Sequence, residues 1–212
     1  MRQRNVKNKK EIINNSSYII LNPNLCLGKW QDVFHNNNNP IYVEIGMGKG
    51  DFILENAKTY PDINFIGIEK YDSIIALAIK KIEKEELANL KLIRMDAKNI
   101  LEVFNHEIDK IFLNFSDPWP KIRHAKRRLT SEVFLNKYDV IFKDNGIIEM
   151  KTDNEDLFTY SLVSLNNNGY LIKEISFDLH HSNISNNIMT EYEKKFSKDH
   201  KPIYYVKVIK NN

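Results

Sequence analysis

Short apolar runs recur along the chain and alternate with stretches in which apolar residues return every three or four positions. The runs are typical of buried strands, and the spaced pattern is typical of helices with one apolar face. The runs predict seven strands, at 41–45, 63–69, 90–95, 110–115, 147–151, 170–177 and 203–209. The spaced pattern predicts helices at 50–58, 71–87, 98–104, 131–142 and 154–165.

This alternation predicts a parallel sheet that helices cover on both faces, because strands buried on both faces read as continuous apolar runs. The last two strands are separated by a polar loop and a short helix, so they can pair antiparallel at the end of the sheet. We therefore expect an α/β fold of three layers and about seven strands, mostly parallel with an antiparallel last strand. Residues 1–212 should form a single domain, with a basic N-terminal tail at 1–15 that could be disordered.

The composition is that of an ordinary soluble protein. Hydrophobic residues make up 42% and charged residues 28% of the chain, which argues against a disordered protein. The single cysteine, Cys26, cannot form an intramolecular disulfide, so we expect a reducing compartment, the cytoplasm. No secretion signal is visible, and no apolar stretch approaches the roughly 18 residues needed to cross a bilayer.

Charge is distributed unevenly along the chain, whose formal net charge is +3. Residues 1–10 and residues 121–128 each hold five basic residues and no acidic one, so each segment carries +5 and the remainder carries −7. Such a distribution suits the docking of a polyanion at two chosen places. A solvated tail and a solvated loop would produce the same pattern without any partner.

The first predicted strand leads into the sequence Val-Glu-Ile-Gly-Met-Gly-Lys-Gly-Asp. Gly46 and Gly48 permit a tight turn at which the backbone can approach a ligand closely. Asp51 stands where a dinucleotide-binding fingerprint has its third glycine, and its charge, like that of Glu44, disfavours a pyrophosphate. S-adenosylmethionine has a ribose, an adenine and a positive sulfonium but no phosphate, so we expect it as the cofactor.

Acidic residues also end the next two predicted strands. Glu69 could accept hydrogen bonds from ribose hydroxyls, and Asp96 could accept one from the adenine amine. Each has a plainer interpretation, Glu69 as a surface strand end and Asp96 as the N-cap of the helix that follows. Three successive strand ends that each carry an acid are harder to obtain by chance, which favours a binding site.

A stiff loop follows the fourth predicted strand. It reads Asn-Phe-Ser-Asp-Pro-Trp-Pro-Lys over 114–121, and its two prolines restrict the backbone. Asp117 could accept hydrogen bonds from a nucleobase and Trp119 could pack against that base. A rigid turn with a core tryptophan is the plainer alternative. Because the basic residues that follow could neutralise several phosphates, the pattern favours a nucleic-acid substrate and Asp117 as the catalytic residue.

These motifs together resemble those of the bacterial tRNA (guanine-N7)-methyltransferases, a family of class I S-adenosylmethionine-dependent enzymes. The resemblance extends from about residue 41 to the C-terminus. It rests on the glycine loop, on Asn-Phe-Ser-Asp-Pro-Trp-Pro-Lys-x-Arg-His-x-Lys-Arg-Arg-Leu at 114–129, on Lys-Thr-Asp-Asn at 151–154 and on Thr-Glu-Tyr-Glu-Lys-Lys-Phe at 190–196. It implies a Rossmann-like fold and methyl transfer from S-adenosylmethionine to N7 of a guanosine in the tRNA variable loop, with 7-methylguanosine and S-adenosylhomocysteine as products.

The resemblance also implies roles for individual residues. Asp117 is the expected catalytic residue and one of the cofactor contacts. The cofactor-binding residues are Glu44, Gly46, Gly48, Glu69, Asp96 and Asp117. The substrate-binding residues are Lys121, Asp153, Thr190, Glu191, Tyr192 and Glu193. The RNA-contacting residues are Arg123, His124, Lys126, Arg127 and Arg128, and no metal is expected.

Several alternatives stay open. Without the resemblance, Asp153 would be interpreted as the N-cap of the next helix, and Thr190 with Glu193 as a capping box. The protein could instead methylate an exocyclic amine of a nucleobase, or bind RNA with a vestigial cofactor pocket. We expect tRNA as the partner, no membrane, no obligate protein partner, and a monomer or homodimer.

Overall fold

Strands and helices alternate in the computed structural model, which describes residues 6–35, 39–196 and 201–211. The strands are β1 (Ile41–Ile45), β2 (Asn64–Glu69), β3 (Leu90–Arg94), β4 (Ile108–Asn114), β5 (Phe142–Thr152), β6 (Tyr170–Ser176) and β7 (Tyr204–Lys210). The α-helices are α1 (Lys9–Asn15), α2 (Trp30–Phe34), α3 (Asp51–Thr59), α4 (Asp72–Ile82), α5 (Glu132–Ile141), α6 (Glu155–Asn167) and α7 (Glu191–Phe196). Short 3-10 helices cover Pro23–Cys26, Ala97–Glu102, Ile122–Arg127 and Leu179–His181.

The chain divides into two units, Met1–Phe104 and Asn105–Asn212. In the first unit β2 lies between β1 and β3 and pairs with both in parallel. Every residue of β2 is buried, so both faces of this strand are covered. Helices α3 and α4 both contact β2, as expected for helices that connect parallel strands.

The predicted basic tail at 1–15 contains a helix, α1, which packs against α4. Beyond this helix the chain runs along the edge of β3. There the N–H of Leu92 donates to the carbonyl of Tyr18 at 2.8 Å, and the N–H of Ile20 donates to the carbonyl of Leu92 at 3.0 Å. The part of the tail prediction that concerns residues 1–5 lies outside the described residues.

In the second unit β4 pairs with β5 in parallel, and β7 lies between β5 and β6 and is antiparallel to both. The antiparallel pairing predicted for the last two strands is confirmed, and β7 is the reversed strand of this unit. The predicted α/β class with seven mostly parallel strands is also confirmed. The single-domain organisation stays a prediction. Among the residues that the structure describes, no helix is both long and apolar enough to span a membrane.

Strand register brings the candidate residues to strand ends within each unit. In the first unit Glu44 lies opposite Gly67 of β2, and Glu69 lies opposite Arg94 of β3. In the second unit Asn114 lies opposite Lys151. The residues that follow β4 therefore lie beside those that follow β5, at the carboxyl ends where α/β proteins bind ligands.

Candidate active site

Three glycines shape the loop between β1 and α3. Gly46, Gly48 and Gly50 have φ angles of 78°, 59° and 77°, a region that residues with a side chain rarely adopt. An added Cβ would meet nothing within 4 Å at Gly46 or Gly48, but at Gly50 it would lie 3.3 Å from the Cβ of Ala78. The first two glycines therefore leave the backbone open to a ligand, whereas Gly50 allows α3 to begin close to α4.

Glu69 ties the glycine loop to the end of β2. Its carboxylate accepts hydrogen bonds from the backbone N–H of Gly48 at 3.3 Å and of Tyr71 at 3.0 Å. Burial raises the pKa of Glu69, and the backbone hydrogen bonds oppose that rise. The plainer interpretation of Glu69 as a surface residue is wrong, because the residue is only 7% exposed. The carboxylate shapes the turn at which a ligand would bind.

Glu44 and Asp96 complete the acidic strand ends of the first unit. Glu44 is buried near the end of β1. Asp96 accepts a hydrogen bond from the N–H of Lys98 at 3.0 Å and caps the 3-10 helix Ala97–Glu102, so its interpretation as an N-cap is confirmed. Carboxylate acceptors beside an open glycine turn suit a ligand with hydroxyl and amine donors and a positive charge. S-adenosylmethionine fits this set.

Asp51 argues against a dinucleotide less strongly than the sequence suggested. It is the first residue of α3, and its carboxylate forms an ion pair with Lys81 of α4. The ammonium offsets the negative charge that would repel a pyrophosphate. The buried carboxylate of Glu44 is therefore the stronger obstacle to a phosphate in this loop.

A cavity of about 430 Å³ lies in the second unit, next to the carboxyl ends of β4 and β5. It is lined by Phe115, Ser116, Asp117, Pro118, Thr152, Asp153, Asn154, Tyr192 and Lys201. This volume is in the range of small-molecule sites. The lining combines two carboxylates with two aromatic rings, so one ligand can meet both hydrogen-bond acceptors and a flat apolar surface.

Tyr192 of α7 forms one wall of this cavity. Its hydroxyl donates to Asp153 Oδ2 at 3.0 Å, and its ring lies 4.7 Å from the ring of Phe115. Burial raises the pKa of the Tyr192 hydroxyl, and Asp153 raises it further. The alternative interpretation of Asp153 as an N-cap is wrong, because Asn154 Oδ1 accepts the hydrogen bond from the N–H of Leu157 at 2.7 Å and caps α6.

The capping box at the start of α7 is confirmed. The N–H of Glu193 donates to Thr190 Oγ1 at 2.9 Å, and the N–H of Thr190 donates to Glu193 Oε2 at 3.3 Å. The fully buried Glu193 carboxylate also accepts from Lys151 Nζ at 3.2 Å and Asn187 Nδ2 at 2.6 Å. His180 Nε2 lies 2.8 Å from the same carboxylate. This buried network holds α7 at the end of β5.

The network determines the ionisation of Glu193. Burial alone would raise the pKa of Glu193, but the Lys151 ammonium and the hydrogen bonds from Asn187, His180 and Thr190 outweigh it. The pKa of Glu193 therefore lies below its ordinary value, and the carboxylate stays charged. The sequence pattern indicated no partner for Lys151. A charged residue inside an apolar strand was the available signal, because a buried ammonium requires an acceptor.

Of the residues predicted to bind substrate, Asp153 and Tyr192 line the cavity. The others lie outside its lining: Lys121, Thr190, Glu191 and Glu193. Thr190 and Glu193 are buried and serve the capping box, whereas Glu191 and Lys121 are exposed. Direct contact between these four residues and a substrate stays a prediction.

The basic segment 121–128 contains two kinds of side chain. Three are exposed and make no hydrogen bond or ion pair with another described residue: Lys121, Arg123 and Lys126. The side chains of His124 and Arg127 instead pack against Trp119. The centroid of the Trp119 ring lies 4.8 Å from Arg127 Cζ and 5.8 Å from the centroid of the His124 ring. Lys121, Arg123 and Lys126 are therefore available to phosphates, whereas Arg127, although also exposed, packs against Trp119 of the loop that holds Asp117.

That loop is conformationally unusual. Phe115 and Trp119 lie on either side of Asp117, and both are in the left-handed region, with φ angles of 49° and 42°. Arg128 Nε donates to the carbonyl of Pro118 at 3.0 Å, and Arg128 Nη2 donates to the carbonyl of Trp119 at 3.2 Å. Arg128 is predicted to contact RNA, but its side chain donates these two hydrogen bonds to carbonyls of the protein itself.

Comparison with known proteins identifies the family. Residues 38–206 match a family described as "Putative methyltransferase". The chain is 50% identical over 206 residues to the tRNA (guanine-N(7)-)-methyltransferase of Lachnoclostridium phytofermentans, with 96% of each chain covered. It is 52% identical over 209 residues to the protein of the same name from Oceanobacillus iheyensis, with 98% of each covered. The chain belongs to the tRNA (guanine-N7)-methyltransferase family.

Solved structures of other methyltransferases share the fold of this tRNA (guanine-N7)-methyltransferase family member. The 16S rRNA methyltransferase KamB matches with a TM-score of 0.63 at 10% identity, covering 87% of this chain and 94% of that one. The aminoglycoside resistance methyltransferase NpmB1 matches with a TM-score of 0.62 at 15% identity, covering 87% and 93%. At such low identities the likeness concerns the fold, and it confirms the predicted Rossmann-like methyltransferase architecture.

Proposed function

We propose that this chain transfers the methyl group of S-adenosylmethionine to N7 of a guanosine in the variable loop of tRNA. The observation that carries the proposal is the 50% and 52% identity, over nearly the full length of both chains, to two proteins named tRNA (guanine-N(7)-)-methyltransferase. Such a substrate would place the protein in the cytoplasm. The structure adds residues in suitable chemical roles.

The first unit contains the residues that we propose hold the cofactor. S-adenosylmethionine, when bound, supplies a reactive methyl group on a positive sulfonium. Gly46 and Gly48 would let the backbone approach it, and the charge of Glu44 would stabilise the cation. Glu69 would accept hydrogen bonds from the ribose hydroxyls, and Asp96 would accept one from the adenine amine.

The second unit contains the cavity that we propose for guanine. The N1–H and exocyclic amine of guanine are donors, and Asp117 and Asp153 are acceptors in the lining. Adenine has no N1–H to offer, so these carboxylates favour guanine over adenine. The rings of Phe115 and Tyr192 would pack against the base.

The reaction requires no general base, because N7 of guanine carries an unprotonated lone pair. When N7 is methylated, positive charge develops on the purine ring, and the Asp117 carboxylate beside that ring would stabilise it. In-line positioning of the base can contribute up to roughly 7–11 kcal/mol to such a transfer. The work of the protein is therefore orientation and electrostatic stabilisation, with Asp117 active in both.

The exposed cations would bind the RNA backbone. Lys121, Arg123 and Lys126 are close in sequence to the Asp117 loop and are exposed. Lysine and arginine at such positions contact phosphates and carry little sequence information. They would bring a phosphate backbone next to the base-binding cavity.

The test is transfer of a labelled methyl group from S-adenosylmethionine to unmodified tRNA, followed by digestion to nucleosides. We expect the label in 7-methylguanosine. A matched tRNA in which adenosine replaces the variable-loop guanosine should remain unlabelled. Label on an exocyclic amine would show a different methyltransferase. Absence of label despite cofactor binding by calorimetry would indicate a substrate other than tRNA, whereas absence of S-adenosylmethionine binding would indicate an RNA-binding module with a vestigial cofactor pocket.

A further inference from the structure

Arg128 is the last cation of the basic segment, but its guanidinium is already occupied by the protein. Its Nε and Nη2 donate to two successive carbonyls, those of Pro118 at 3.0 Å and Trp119 at 3.2 Å. Its own backbone is held too, since its N–H donates to the carbonyl of Ala125 at 3.0 Å and its carbonyl accepts from the N–H of Ser131 at 2.9 Å. The residue is half-buried, unlike the exposed cations of the same segment.

An aromatic ring holds the guanidinium in this orientation. The ring of Tyr160 in α6 lies 4.2 Å from Arg128 Cζ. A planar guanidinium can stack on a ring and still donate along its edge. Lysine has the same charge but cannot reproduce this combination of stacking and two donors in a fixed plane. The site is therefore specific for arginine in a way that a phosphate contact is not.

The loop that Arg128 contacts needs external support. Phe115 and Trp119 adopt positive φ angles, which cost bulky residues of the order of 1–3 kcal/mol and persist only where the surroundings enforce them. Pro118 and Pro120 have no N–H and cannot donate to the rest of the loop. The two hydrogen bonds from Arg128 satisfy carbonyls at the strained end of this segment.

We infer that Arg128 is a positioning residue, which fixes the Pro118 and Trp119 backbone so that Asp117 is held at the base-binding cavity. It does not bind a phosphate of the RNA. The exposed Arg123 and Lys126 provide the contrasting case within the same segment. The inference assigns a positioning residue to the proposed active site. The part of its test that measures turnover therefore rests on the proposed function.

The charge-conserving variant Arg128→Lys separates the two roles. We expect its kcat for tRNA methylation to fall by about tenfold or more, while its Kd for tRNA changes by less than about twofold. The slope of log Kd against log salt should be unchanged. Arg123→Ala is the comparison variant and should raise the Kd and reduce that slope by about 0.7–0.9, the value of one phosphate contact.

Tryptophan fluorescence reports the loop without any substrate. The chain has two tryptophans, of which Trp30 is fully buried, so quenching by acrylamide reports chiefly on Trp119. We expect Arg128→Lys to increase this quenching and Arg123→Ala to leave it unchanged. If Arg128→Lys unfolds, Tyr160→Leu, which removes the supporting ring, should cause smaller changes in the same direction.

Two results would overturn the inference. One is wild-type turnover and wild-type quenching in a folded Arg128→Lys protein. The other is a weaker Kd with a reduced salt slope in Arg128→Ala and normal kcat, as a phosphate contact would give. If the wild-type protein methylates no tRNA, the proposed function fails, but the quenching comparison still decides whether Arg128 holds the loop.

Discussion

Asp117 shows how much of the proposed chemistry depends on one charge. It is exposed and lines the cavity of the second unit. Asp117→Asn keeps the shape of the side chain but removes the negative charge that would stabilise the methylated purine. We expect kcat to fall by about 10²–10³-fold, the usual effect of losing one transition-state contact, while calorimetric affinity for S-adenosylmethionine falls much less.

The matched control is Asp144→Asn, which makes the same charge change at an exposed residue of β5. Its turnover should match that of the wild type. Near-normal turnover in Asp117→Asn would contradict the catalytic role. An equal loss in both variants would show that net charge matters and the Asp117 carboxylate does not.

A comparison of Gly50 with Gly28 measures how much the close packing at Gly50 matters. Both are in the left-handed region, with φ angles of 77° and 72°, but an added Cβ would meet Ala78 at 3.3 Å only at Gly50 and nothing within 4 Å at Gly28. Alanine at either position costs about 1–2 kcal/mol of backbone strain. We expect Gly50→Ala to lower the free energy of unfolding by roughly 1 kcal/mol more than Gly28→Ala does, as measured by urea unfolding. Equal losses would contradict the packing role.

At the scale of elements, one buried carboxylate attaches helix α7 to strand β5. Glu193→Gln would leave the buried Lys151 ammonium facing a neutral amide, and breaking a buried ion pair costs about 3–5 kcal/mol. The expected result is a clear fall in the thermal unfolding midpoint at pH 7. Glu191→Gln, at an exposed position in the same helix, is the control and should change it little.

The same ion pair predicts a pH dependence of stability. Because the pKa of Glu193 is lowered in the folded state, its contribution to the free energy of unfolding is fully present above the ordinary carboxyl pKa of 4.5. The contribution is lost as pH falls through the lower folded-state pKa. The difference in unfolding midpoint between wild type and Glu193→Gln should therefore shrink in acid. A difference that is constant between pH 3 and pH 7 would contradict this assignment.

At the scale of the whole molecule, the net charge of +3 conceals two segments of +5 in a chain that is otherwise at −7. If the exposed cations of 121–128 bind phosphates, tRNA affinity must depend on salt. The double variant Arg123→Ala and Lys126→Ala should reduce the slope of log Kd against log salt by about 1.4–1.8. A titration of tRNA binding at several salt concentrations measures this slope.

A second double variant removes the same charge elsewhere. Lys143 and Lys173 are exposed in β5 and β6, and alanine at both should leave the slope nearly unchanged. Equal changes in the two double variants would show that tRNA responds to total charge. In that case the basic segment would not be a specific docking site.

The sequence by itself determined the fold class, the motif residues and the order and approximate positions of the strands, although β5 begins at Phe142 and the pattern placed its start at 147. Strands such as β2 are buried on both faces and therefore read as continuous apolar runs. Helix bounds were less predictable. The pattern predicted a helix over 71–87, but α4 ends at Ile82. The Tyr18 hydroxyl, distant in sequence, accepts from the N–H of Leu87 at 3.0 Å and holds the turn that follows.

Tertiary structure decided what the charged residues do. Arg128 and Arg123 are neighbours in one basic run, yet one is hydrogen-bonded to a strained loop and the other is exposed. Lys151 and Glu193 are 42 positions apart and meet in a buried ion pair. The side-chain pattern along a chain records which residues are buried. The partner of a buried charge depends on which strand ends and loops the fold brings together.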